Sequence, residues 1–231
     1  SLYSSSPFIA MLKRNFNFIE IGGRMHMNGI PYIVNKRVKI YKILPITVVI
    51  GILNYIGISA IKSHLPYIGF LTIEGNMVML VGLFIILFTS QTAFVNEPLW
   101  LNLSVMTPVE FARKYLLVKT LSTYIIFLPI SISLILLNPE YGVGSLFIPL
   151  VYIYAASINA RYYPVLMSTE AQNYDARVLS GGALLVTSFV PITVDAFFPI
   201  GGVIITLLFT LPFLFSKGYW EKTFENTLTS S

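Results

Sequence analysis

Six long apolar stretches, separated by short polar ones, are the feature that most constrains the fold of this chain. The chain is 55% hydrophobic and only 11% charged, whereas a soluble domain carries roughly 25% charged residues. About 20 apolar residues in a helix cross the hydrocarbon core of a bilayer. The sequence therefore predicts an all-α polytopic membrane protein with six transmembrane helices. The predicted spans are 43–61, 76–95, 116–138, 144–160, 179–197 and 203–215.

The distribution of basic residues predicts the orientation of these spans. With the amino terminus placed inside, all but one of the 15 Lys and Arg residues fall in cytoplasmic segments, and only Lys62 falls outside. Cytoplasmic loops carry an excess of Lys and Arg. The bias predicts a multi-pass protein of the cell (plasma) membrane with both termini cytoplasmic. It also accounts for the net charge of +5 without a nucleic-acid partner.

Residues 1–42 are predicted to form a cytoplasmic amphipathic segment before the first span. Apolar and basic side chains alternate at helical spacing over 7–19, which is typical of a helix lying in the membrane interface. Gly22 and Gly23 are expected to end this helix. A basic run then precedes the first span, and it is either a topology signal, which the positive-inside principle favours, or a patch that binds phosphate or nucleic acid. Its members are Lys36, Arg37, Lys39 and Lys42.

The stretch 97–121, between the second and third spans, carries a helix start. Thr107 can cap with its hydroxyl, Pro108 suits the first helical position, and Glu110 can reach back to the cap. This pattern predicts a cytoplasmic helix that begins at Pro108 and continues into the third span. The stretch either docks a soluble partner or only lies in the interface, with Trp100 as an interface anchor.

Motifs of enzymes and metal sites are absent from the sequence. The chain has no cysteine and two histidines, and no GxxxxGK[ST], HExxH or GxSxG sequence occurs. We therefore predict no catalytic residue, no metal site and no cofactor in this chain. Asp195 is the acidic side chain within a predicted span, close to its outer boundary. It is either a substrate or ion contact or a helix-end carboxylate in water.

The order of these elements resembles the permease subunits of type-2 ABC exporters (the ABC-2 type). In that family the stretch between spans two and three reads as a glutamate, a leucine-rich run, a Ser/Thr-Pro step and a lysine entering span three. The matching positions here are Glu97, Leu101, Leu103, Thr107-Pro108 and Lys119. Pro98 after Glu97 and the short link between spans five and six depart from the family pattern.

The resemblance implies a coupling helix between spans two and three that docks into a separate ATP-binding subunit. The residues implied in coupling are Glu97, Thr107, Pro108, Glu110, Arg113 and Lys114. ATP and Mg would be bound by the partner subunit, so this chain would hydrolyse no ATP itself. Residues 7–20 would form the connecting helix on the inner surface, and 217–231 a cytoplasmic tail.

The resemblance also implies that a second permease copy, or a homologous half, faces this one across a substrate path, with lipid around both. Polar side chains within the spans are the candidates for lining that path: Asn54, Ser59, Thr89, Thr187, Thr193 and Asp195. Ser1 fits either a processed subunit or the second half of a longer permease. The alternative function is that of an accessory or structural subunit of a multi-protein membrane complex.

Overall fold

The computed structural model describes residues 7–27, 30–64, 70–162, 187–196 and 198–229. These residues are mostly helical, and their elements are named in chain order. They are α1 (Pro7–Asn15), β1 (Phe18–Met27), β2 (Ile30–Lys39), α2 (Ile40–His64), α3 (Phe70–Ser90), α4 (Leu99–Leu103), α5 (Pro108–Leu137), α6 (Pro139–Ser145), a 3₁₀ turn (Ile148–Leu150), α7 (Val151–Tyr162), α8 (187–196), α9 (Pro199–Phe215) and α10 (Lys217–Thr229).

Three helical segments of the described chain are long and apolar enough to cross a membrane. They are Ile40–Ile61, Pro108–Leu137 and Gly142–Arg161. A fourth is formed if α9 and α10, which meet at an angle of 65°, are counted as one broken span. The predicted second span extends five residues too far, because α3 ends at Ser90 and the chain then makes turns. In the predicted fifth span, residues 179–186 lie outside the described part of the chain.

The expectation of an all-α fold is wrong near the amino terminus. β1 and β2 pair as an antiparallel hairpin, with Glu20 opposite Arg37. The predicted interfacial helix ends at Asn15 rather than at Ile19, and Gly22 and Gly23 lie inside a strand instead of ending a helix. The reason lies partly in β2, which is rich in the β-branched residues that favour a pleated, half-buried surface.

Helix α5 is the central element of the fold. At 1.5 Å per residue its 30 residues extend about 45 Å, and it packs against α1, the hairpin and most of the other helices. Gly51 of α2 brings the two backbones close, because a Cβ at this position would lie 2.8 Å from the Pro129 carbonyl oxygen. The first half of α5 is largely buried among the surrounding elements, on the side away from its exposed leucines.

Large apolar side chains are exposed along several helices, in stripes that no other part of the described chain covers. On α5 the stripe repeats at helical spacing: Leu117, Leu121, Leu128, Ile132 and Leu136. On α9 it comprises Ile200, Ile204, Leu208, Leu211 and Phe215. Soluble monomers rarely expose continuous apolar patches of this extent. These surfaces suit contact with lipid.

The predicted polar tail contains a helix that packs onto the rest of the protein. Trp220, Thr223, Phe224 and Thr227 of α10 are all buried, and the helix contacts α5 and α7. Trp220 is fully buried, and its indole Nε1 donates to the Phe213 carbonyl oxygen across 2.6 Å. The carboxyl-terminal segment is therefore part of the core that surrounds the start of α5.

Candidate functional site

A cluster of buried polar side chains lies where α1, the hairpin and the α3–α4 connection meet α5. We call it the polar junction, and it consists of Asn15, Glu20, Arg37, Glu97, Tyr115 and Lys119. All of these except Arg37 are less than a tenth exposed. The two carboxylates, Glu20 and Glu97, balance the formal charges of the two cations, Arg37 and Lys119. This balance matters because burying unpaired charges is strongly unfavourable.

Glu20 is the acidic centre of the polar junction. Its Oε1 lies 3.2 Å from Arg37 Nε on the neighbouring strand and 3.6 Å from Lys119 Nζ on α5. Lys119 Nζ also donates to the carbonyl oxygen of Phe18 across 3.4 Å. The hairpin is thereby fastened to α5 by an ion pair and a hydrogen bond to its backbone.

Glu97 fastens the α3–α4 connection to the first helix. Its Oε1 accepts from Asn15 Nδ2 across 2.9 Å, and its Oε2 accepts from Asn102 Nδ2 across 3.3 Å. Arg37 in turn donates from a terminal nitrogen to Asn15 Oδ1 across 3.4 Å. A direct contact of Glu97 with a partner, which the resemblance implies, would need an exposed side chain, and Glu97 is only 7% exposed. Its carboxylate is buried and acts inside the chain.

Phe94 holds the α3–α4 connection against α5 through contacts of its backbone and its ring. Its backbone N–H donates to the Tyr115 hydroxyl across 3.0 Å, and the two rings stack with centroids 4.2 Å apart. Trp220 and Phe224 of α10 contact the Phe94 ring from other directions. Phe94 has φ of 64°, a conformation that is rare for a bulky residue. The surrounding aromatic contacts hold it there.

The start of α5 confirms the predicted Thr107 cap, whereas the expected reach of the Glu110 carboxylate back to the cap is not formed. Thr107 is the N-cap and its hydroxyl accepts from the Glu110 N–H across 3.4 Å, with Pro108 in the first turn. The Glu110 carboxylate pairs with Lys114, one turn further on. Thr107 is exposed, and Glu110, Arg113 and Lys114 are partly exposed. This end of α5 therefore presents polar groups at the surface, as the sequence predicted.

Exposed apolar side chains lie just before this polar surface, on and after α4. Trp100 is 72% exposed and Val105 is 62% exposed, and Leu101 is exposed between them. We call these three residues the α4 face. They are held in place by the neighbouring Leu99 and Met106, which are buried in the core beside Phe111. The α4 face is thus an ordered apolar surface and not part of a slack loop.

The predicted substrate-path residues are dispersed among separate contacts. Each of those with a described hydrogen bond is bonded to a residue outside the set. Asn54 bonds Ser133, Thr89 bonds the carbonyl oxygen of Ile85, Thr187 bonds Tyr154, Thr193 contacts Met79 Sδ, and Asp195 bonds Thr206. Ser59 is partly buried on α2. Thr89 lines a small cleft beside the polar junction, together with Glu20, Lys119 and Tyr152.

Asp195 lies in a different environment from the water-exposed helix end favoured by the sequence. Its side chain has no exposed surface. Oδ2 accepts from the Thr206 hydroxyl across 2.7 Å. Among the described residues, nothing donates to Oδ1. The expectation of a solvated carboxylate is therefore wrong, because α9 packs directly over this side chain.

Four residues of the polar junction could not be assigned from the sequence: Asn15, Glu20, Tyr115 and Arg37 as a pairing partner. A signal for Glu20 was present, since it is the single acidic residue before Glu74 in a strongly basic segment.

In the described part of the chain, no group of three or more His, Asp or Glu side chains could hold a metal ion.

Comparison with known proteins yields no relative. No family model matches the chain, and no curated protein or solved structure matches it either.

Proposed function

We propose that this chain is the permease subunit of an ABC exporter. In this proposal it has six spans with both termini cytoplasmic, and it receives movement from a separate ATP-binding subunit through the α4 face and the first turns of α5. The substrate path is formed with a second copy or a homologous half. The observation that carries the proposal is the rigid attachment of the α3–α4 connection to α5.

The length of α5 supports a helix that extends beyond the membrane. A helix needs about 20 residues to cross the hydrocarbon core, and α5 has 30. About ten residues, or roughly 15 Å, can therefore project beyond the membrane. Glu110, Arg113 and Lys114 lie in these first turns. A force applied there is transmitted along a continuous helix into the bilayer.

The contacts around the α3–α4 connection support the transmission of movement to α5 from more than one element. The Phe94 N–H bond to Tyr115 joins the connection to α5, and Thr107 caps the same helix. Glu97 joins the connection to α1, and Glu20 joins the hairpin to Lys119. A loop that only lies in the membrane interface would not need buried polar contacts to several neighbouring elements. These contacts favour an element that moves together with α5.

Surface chemistry supports a protein partner for the α4 face. Exposed tryptophan next to aliphatic side chains, with charged groups at the border, is typical of interface hot spots. The charges here come from the partly exposed start of α5. In the proposal, Trp100 inserts into a pocket of the ATP-binding subunit while Glu110 and Arg113 lie at the rim.

Single-cysteine crosslinking in native membranes tests this assignment, and the chain has no cysteine of its own. We expect a photoactivatable label at Val105→Cys to capture a subunit containing a nucleotide-binding P-loop. Leu136→Cys is the matched control, because Leu136 is 68% exposed at the far end of α5, about 30 residues from Val105. Capture of that subunit from both positions, or from neither, contradicts the proposal.

A further inference from the structure

Asp195 is the one acidic side chain in the described chain that is fully buried beside apolar helices without an acidic or basic partner in contact. It sits at the end of α8, next to the start of α9, and its Oδ2 accepts the Thr206 hydroxyl. Nothing in the described chain donates to Oδ1, although that atom is buried. An ionised carboxylate in this position would carry an uncompensated charge, whereas a neutral carboxylic acid would leave only one hydroxyl without a partner.

The close approach of α9 excludes a larger ligand. A Cβ on Gly202 would overlap Asp195 Oδ1 and lie 2.6 Å from Asp195 Cα, so the carboxyl group rests directly against the Gly202 backbone. A bound cation such as Ca²⁺ requires six to eight oxygen ligands. The Thr206 hydroxyl and the two carboxyl oxygens are far fewer. The space and the donor set both suit a proton.

We propose that Asp195 is a proton-binding site, with the proton on Oδ1, and that it is filled when α8 and α9 are packed as they are here. The carbonyl oxygen is then Oδ2, which accepts from Thr206. Loss of the proton leaves a buried charge that only water or a cation can compensate, so release requires α8 and α9 to separate. The site therefore links proton occupancy to the packing of this helix pair, in addition to any control by ATP.

Thr206, on the facing helix α9, supplies the hydrogen bond to Asp195. The Tyr124 phenol on α5 is a titratable group that interacts electrostatically with Asp195. No described basic side chain forms an ion pair with it. Glu140, on the helix before α7, is an acidic residue whose contribution must be separated in any measurement on the whole chain.

Infrared difference spectroscopy of the full chain in membranes tests the site at neutral pH. We expect the parent to show the C=O stretch of a protonated carboxylic acid and Asp195→Asn to lose it. Thr206→Val is expected to move the band to higher wavenumber, because the carbonyl loses its hydrogen bond. Glu140→Gln and Tyr124→Phe are matched controls that should retain the band.

Two results would overturn the proposal. One is a spectrum in which Asp195→Asn removes no protonated-acid band at neutral pH, which would mean that the carboxyl is ionised. The other is a band that Thr206→Val leaves at its original position, which would mean that the neutral acid lies elsewhere. If Asp195→Asn does not accumulate in the membrane, the response to Thr206→Val decides alone, since that variant retains the carboxyl group.

Discussion

The side-chain amide of Asn15 donates to Oε1 of Glu97 across 2.9 Å, although the two residues are 82 positions apart in the sequence. Both side chains are buried. The bond joins the first helix to the connection before α5, and Asn102 donates to the other oxygen of the same carboxylate. Movement of α1 and movement of the α4 face are thereby linked through one glutamate.

We expect Glu97→Ala to destabilise the protein by about 1–3 kcal/mol for each buried amide that is left without an acceptor. Glu110→Ala is the matched control, because it removes a carboxylate from the same region that is partly exposed and pairs with Lys114. Its effect should be small. Thermal unfolding in detergent measures both variants. Equal losses in the two variants would show that Glu97 is not an internal anchor.

The Glu20–Lys119 pair should show strong coupling between its two members. We expect Glu20→Gln to cost about 3–5 kcal/mol, because it leaves Lys119 and Arg37 buried or half-buried without their acid. Adding Lys119→Met should recover part of that loss. Glu221→Gln is the control, since Glu221 pairs with Lys217 at the surface. Additive effects of the Glu20 and Lys119 changes in a double-mutant cycle would contradict this account.

Trp220→Ala should loosen the connection between α3 and α4 as well as α10 itself. Removal of a buried tryptophan costs about 3–5 kcal/mol, and the indole contacts the Phe94 ring. We expect faster hydrogen exchange at 91–97 in this variant. Phe215→Ala, which removes a side chain that is 65% exposed, should leave exchange at 91–97 unchanged. Unchanged exchange in Trp220→Ala would separate α10 from the function of the connection.

The six-span orientation predicts which segments face the outside of the cell. A reporter at 140 or within 198–202 should report an external position, and one at 173 or 231 a cytoplasmic position. The reason is the distribution of Lys and Arg, which places all but one of these residues inside. Residues 173 and 231 lie outside the described part of the chain. An external signal at 173 would rule out the six-span arrangement.

Structural features that depend on neighbouring residues were predicted well from the sequence. The cap at Thr107 and the proline after it are confirmed, because capping depends on residues within one turn of each other. The continuous helix from Pro108 past residue 130 is confirmed as well. The α4 face was also expected to be ordered, and its position follows from these neighbouring signals.

Elements that depend on distant contacts were harder to predict. The hairpin was missed because 7–19 carries a helix-like apolar pattern that hides the start of β1. Helix α10 was missed because its composition is polar. Its buried positions 220, 223, 224 and 227 nevertheless follow helical spacing, so a search for periodicity rather than mean hydropathy would have found it.

The role of Glu97 illustrates why the candidate site was only partly predictable. Its residue type and its position in the sequence suggested a surface contact, but its partner Asn15 lies 82 residues earlier in the chain. Asp195 is a similar case, since Thr206 and the Gly202 backbone enclose it from the next helix. Burial of a charged residue depends on which elements meet, and one sequence does not specify that.

Purification of the tagged protein from native membranes tests whether this chain is the permease of an ABC exporter. We expect a subunit with a nucleotide-binding P-loop to co-purify in a defined ratio and the complex to hydrolyse ATP. Trp100→Asp should release this subunit, while Leu136→Asn should not. Purification of a stable complex that contains no such subunit and hydrolyses no ATP would contradict the account, and would favour a structural role in another membrane assembly.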